Sequence, residues 1–90
     1  MTDDELIALG AQCELLLNAE WFKLVTQQFD MQCFAHFMQT SPEEKMKREG
    51  TYQQWQGARD FLAHLAAYVD QAHQTKERNA PSTDSLEGFD

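Results

Sequence analysis

One five-residue stretch, Thr40-Ser41-Pro42-Glu43-Glu44, divides this chain more firmly than any other. Pro42 disfavours helix at Ser41, yet its fixed φ suits the first position of a new helix. Ser41 and Glu44 have the spacing of a capping box, in which the serine caps a helix N-terminus and the glutamate reaches back. The reading is one helix that stops near Gln39 and another that starts at Pro42. A connection this short turns the chain back on itself, so the flanking segments are expected to form an antiparallel helical hairpin.

Strand signals are nearly absent. No Asn-Gly or Asp-Gly pair occurs, and Ile7, Val25 and Val69 are the only β-branched aliphatic residues. Gln, Ala, Leu, Glu and Met dominate, which are good helix formers. The expected fold class is all-α: a short N-terminal helix plus the hairpin, a three-helix unit that dimerises as a helical bundle. The helices are placed at about residues 3–17, 19–39 and 42–76, within a domain of residues 1–78.

Thr2 and Glu5 form a capping box at the first helix, and Asp3, Asp4 and Glu5 suit the positive end of its dipole. Leu6, Leu9, Cys13 and Leu16 follow at helical spacing, with Ile7 and Leu17 beside them. Asn18 reads as the N-cap of the second helix; the alternative is a first helix that runs straight through it. In the third helix, Glu43–Lys47 and Glu44–Arg48 are i,i+4 pairs. A kink near Gly50 is the alternative to a continuous helix, because Thr51-x-x-Gln54 offers a restart. Gly57 either permits close packing or is simply tolerated. Trp55, Ala58, Leu62, Leu65, Val69 and Ala72 then recur at 3-4-3-4-3 spacing, a heptad seam.

The second helix does not keep its apolar residues on one side. Residues 21–38 hold eleven apolar side chains in eighteen positions. At about 100° per residue, Val25, Phe29, Cys33 and Phe37 fall within about 60° of Phe22. This stripe is expected to meet the third helix, giving a hairpin core of Phe22, Val25 and Phe29 against Trp55, Ala58, Leu62, Leu65 and Val69. Leu24, Met31, Phe34 and Met38, with Ala35, form a second stripe on the far side. A first helix of four turns covers part of it, and the remainder is expected to be an interface for a protein partner or a second copy. A ninety-residue chain buries only about 60–65% of its unfolded surface, so a partner is a common remedy.

The formal charge of −8 is concentrated at the ends. Residues 6–80 carry nine acids and seven bases. No Lys/Arg cluster exists to neutralise phosphates, which argues against nucleic acid. The segment NAPSTDSLEGFD changes composition and cannot bury enough to fold alone, so residues 79–90 are read as an acidic disordered tail. Within it, Leu86 and Phe89 could dock on a partner. The start MTDDEL lacks an apolar signal core, and no run reaches 18 apolar residues, so a cytoplasmic protein without a membrane segment is expected.

No catalytic constellation emerges. His36, His64 and His73 have no metal-ligand spacing, and the hairpin separates His36 from His64. No phosphate-binding glycine loop or nucleophile elbow is present. Cys13 and Cys33 read as small buried hydrophobes. Cys33 has His36 one turn away, but its apolar neighbours Met31, Phe34 and Phe37 would raise a thiol pKa rather than activate it. The expectation is a non-enzymatic protein with no cofactor, metal or small-molecule substrate.

The segments LLLNAEWFKLV and QTSPEEKMKREGTYQQWQGARDFLAHL resemble a group of small acidic helical proteins encoded among the virion-assembly genes of tailed bacteriophages. The resemblance covers roughly residues 15–70. It rests on Leu16, Leu17, Asn18, Trp21, Ser41, Pro42, Glu44, Gly57, Arg59, Asp60 and Leu62. It implies a structural or assembly role in a phage, in the host cytoplasm or the virion, and carries over no catalytic residue. The alternative function is an inhibitor of a host enzyme or defence system that acts through acidic surface.

Overall fold

Residues 1–80 are described by the computed structural model, and they form three α-helices. These are α1 (Asp3–Asn18), α2 (Glu20–Gln39) and α3 (Lys45–Asn79), and no strand occurs among the described residues. The chain is all-α. None of these helices is long and apolar enough to cross a membrane.

α1 starts as its sequence dictates. The Glu5 amide donates to Thr2 Oγ1 at 3.1 Å, and the Thr2 amide donates to Glu5 Oε1 at 3.3 Å. The break between α1 and α2 falls one residue later than expected. Asn18 is the last residue of α1 and caps nothing; Ala19, at φ −68° and ψ 129°, is the single extended residue between the helices. Its amide still donates to Leu16 O and its carbonyl accepts from Lys23, so both ladders stay nearly continuous.

α3 begins at Lys45 rather than Pro42 and ends at Asn79 rather than Lys76. The Ser41–Glu44 pair works as a turn lock instead of a helix cap. The Ser41 amide and hydroxyl both donate to Glu44 Oε1, at 3.1 and 3.3 Å, while the Glu44 amide donates back to Ser41 O. This holds Glu44 at φ −93°, ψ 55°, outside the helical region, so regular helix starts one residue on. The first-turn ion pair is Lys47 with Glu44 at 2.7 Å, not the two i,i+4 pairs expected. α3 runs through Gly50 as one continuous helix. Thr51 turns its hydroxyl back to Lys47 O at 3.0 Å and so continues the helix instead of restarting it.

Both α1 and α2 run opposite to α3. Asp3 meets Arg78 and Gly10 meets Ala72, whereas Asp30 meets Arg59 and Phe37 meets Arg48. α1 therefore lies on the C-terminal half of α3 and α2 on the N-terminal half. The expectation that α1 covers part of the second stripe of α2 is corrected: the one-residue break leaves α1 almost in line with α2. The molecule is a rod of 71 × 25 × 24 Å. Its radius of gyration is 20.1 Å, against about 12 Å for a compact domain of this length.

The two halves of the rod pack differently. Gly10 and Cys13 of α1 and Ala72 and Thr75 of α3 are buried, and all four are small. A Cβ on Gly10 would run into Ala72 Cβ and lie 2.8 Å from the Tyr68 carbonyl oxygen, so the absence of a side chain there lets the helices touch. Gly57, by contrast, faces open space. Around α2 the buried residues are Cys33 and Thr51 alone. No side chain among the described residues is fully buried.

Candidate functional site

The α2–α3 half is held in register by one carboxylate. Trp55 Nε1 donates to Asp30 Oδ1 at 3.1 Å, and Arg59 Nη2 donates to Asp30 Oδ2 at 2.8 Å. The Arg59 guanidinium also lies 5.3 Å from the centre of the Trp55 ring. Nearer the turn, the Arg48 guanidinium stacks 4.5 Å over Phe37, and its Nε is buried without a hydrogen-bond partner. These polar and aromatic contacts take the place of the wide aliphatic seam that closes an ordinary hairpin.

Between them the helices leave a groove of about 400 Å³, lined by Asp30, Cys33, Phe34, Phe37, Thr51, Tyr52 and Trp55. Its walls are almost wholly apolar. Two of its polar groups are committed, Asp30 to Trp55 and Arg59 and the Thr51 hydroxyl to Lys47 O. Such an arrangement is suited to burying apolar side chains and offers little for chemistry. Cys33 is a buried free thiol, while His36, one turn on, is exposed. Among the described residues no group of three or more His, Cys, Asp or Glu side chains could hold a metal ion.

Of the second stripe, Phe34 lines this groove, while Leu24, Met31 and Met38 lie farther round α2, away from α3. Leu24, Met31, Phe34 and Met38 are 58, 56, 67 and 65% exposed. On α3, Tyr52 is more than half exposed on the same side. Leu86 and Phe89, the other two interface positions expected from sequence, lie outside the described residues.

The stripe expected to form the hairpin core divides. Phe22, Trp55, Ala58, Leu62, Leu65 and Val69 are half-buried along the contact between the helices. Val25 and Phe29 stand to one side of it, 57 and 37% exposed. The reason is rotational. Thr26, Asp30, Cys33 and Phe37 point at α3, which centres the contact about 50° away from Phe22 on the side opposite Val25 and Phe29. Phe61 of α3 is exposed, as are Val25 and Phe29.

Three contributors escaped the sequence reading. Gly10 gave no signal beyond its place in an amphipathic helix, and only a partner helix shows what its missing Cβ permits. Asp30 stood in a gap between apolar stripes, and a lone acid among aromatics at helical spacing from Cys33 and Phe37 is the trace it left. Asp3 accepts from Arg78 Nη2 at 2.9 Å and Asn79 Nδ2 at 3.0 Å, which fastens the N-terminus of α1 to the end of α3. Those two donors, Asn79 first, hold its carboxyl below the usual range.

Comparison of the chain with protein-family models, with curated proteins and with solved structures finds no match.

Proposed function

We propose that this chain is a non-enzymatic protein–protein interaction module whose working surface is the face of α2 that carries Leu24, Met31, Phe34 and Met38. One observation carries the reading: these four side chains are each more than half exposed, and Phe34 among them lines an apolar groove between α2 and α3. An exposed apolar surface in a molecule with no fully buried side chain among its described residues is a surface made to be covered. The resemblance of residues 15–70 to small helical proteins of phage virion-assembly genes gives the proposal its specific form, a structural or assembly factor of a tailed phage. The acidic-surface inhibitor has weaker support, because Asp3 is spent on Arg78 and Asn79 within the fold.

The test is a photoreactive benzophenone side chain placed at position 34 of the full chain in its producing cells, with position 53 as the control. Gln53 lies on the exposed, outward side of α3. A protein adduct from position 34 and none from position 53 is the expected result. No adduct from position 34 would overturn the assignment of this surface.

A further inference from the structure

Resting on that reading, we infer that the occupant of the α2 face is a second copy of the chain, packed antiparallel about a two-fold axis between Met31 and Phe34. The spacing of the exposed residues points to self-pairing. Leu24, Met31 and Met38 follow one another at seven-residue intervals, and Phe34 stands three residues after Met31. These are the a and d positions of a heptad. When two such helices pair antiparallel, a of one lies opposite d of the other. Met31 of each copy then meets Phe34 of the other, a thioether against an aromatic ring, and the contact occurs twice by symmetry. Leu24 of one copy falls within a turn of Met38 of the other. The pairing is thus self-complementary at its centre, Met31 against Phe34, while Gln27 of each copy lies opposite Met38 of the other.

Charge and area agree with this occupant. Glu20 opens α2 on the same face as Met31 and Met38, and Lys45 opens α3 beside the far end of α2; both are exposed. Antiparallel pairing brings Glu20 of each copy toward Lys45 of the other, whereas parallel pairing brings the two glutamates together. The nine acids and seven bases of residues 6–80 leave little net charge to push two copies apart. Leu24, Met31, Phe34, Met38 and Tyr52 together present on the order of 600 Å² per chain, close to the ~800 Å² per partner of a standard stable interface. With α3 of each copy behind its α2, the assembly is a four-helix layer at the open half of the rod.

The experiment uses the purified full chain. Sedimentation at micromolar concentration should give the mass of two chains. Benzophenone at position 34 should yield a covalent dimer whose cross-linked peptide contains Met31 of the other copy. Glu20→Lys should weaken the dimer at least tenfold, and Glu20→Lys with Lys45→Glu should restore it; neither change touches the apolar stripe, so loss of folding does not confuse the result. A dimer whose cross-link maps outside residues 20–39, or whose stability ignores both charge variants, overturns the inference. So does a monomer. A monomer whose position-34 probe captures a foreign protein in cells overturns the second copy and leaves the interaction surface standing; a monomer with no adduct removes both.

Discussion

Gly10 shows how much can hang on a missing methyl group. In an isolated helix, Gly10→Ala would gain up to about 1 kcal/mol of helix propensity. Here the added carbon meets Ala72 and the Tyr68 carbonyl oxygen, and a carbonyl fixed in a helix cannot swing aside as a flexible side-chain end would. Overpacking of this kind costs about 1–3 kcal/mol, so Gly10→Ala should destabilise the protein. Gly57→Ala, where a Cβ meets nothing within 4 Å, should instead stabilise it by up to about 1 kcal/mol. Urea denaturation of the two variants beside the parent reads both signs at once. Glu44 makes a second single-residue prediction. Hydrogen bonding to Lys47, then to the Ser41 amide, lowers its pKa from 4.5 to about 2. A depressed carboxylate favours the fold above its ordinary pKa, and that contribution disappears as pH falls through the folded value. The contacts that lock residues 41–44 should therefore hold from neutral pH down and loosen between about pH 4.5 and 2. The amide shifts of Ser41 and Lys47, followed by NMR titration, should move in that window and stay flat in Glu44→Gln.

At the scale of the helices, the legible features were those that depend on neighbours in sequence. Thr2 and Glu5 are three residues apart, so their reciprocal hydrogen bonds could be read from spacing alone. The chain reversal at residues 40–44 was legible for the same reason, although the Ser41–Glu44 lock delays α3 to Lys45. The features that stayed hidden depend on which helix faces which. The near-continuity of α1 into α2 hangs on Ala19, an ordinary helix former held extended, and nothing in its side chain announces that. The rotation that turns Val25 out and Asp30 in is fixed by Trp55 and Arg59, 25 and 29 residues away. Asp30→Ala removes both of these bonds. With Asp30 and Arg59 partly exposed, the expected loss is about 1 kcal/mol rather than the value of a buried ion pair. A double-mutant cycle with Arg59→Ala should show the coupling, and its absence would mean that the register is set by the apolar contacts alone.

Taken as a whole, the rod is closed along one half and open along the other. Small residues bring α1 against α3, while aromatic and polar contacts keep α2 at a groove's width from the same helix. The stripe of Leu24, Met31, Phe34 and Met38 could be found in the sequence as surplus apolar surface, because periodicity reveals what one contact face cannot bury. The groove beside Phe34 could not, since it arises from the spacing of two helices. If a second copy covers that surface, as proposed, folding is coupled to association and stability should depend on concentration. Phe34→Asp should lose both dimer and thermal stability, whereas Gln53→Asp on the outer side of α3 should change neither measurably. The most direct measurement is the thermal unfolding midpoint of the purified full chain, followed by circular dichroism at 222 nm over a hundredfold range of protein concentration. The account predicts a midpoint that rises steadily with concentration. A midpoint that stays constant, with a single-chain mass throughout, would contradict it.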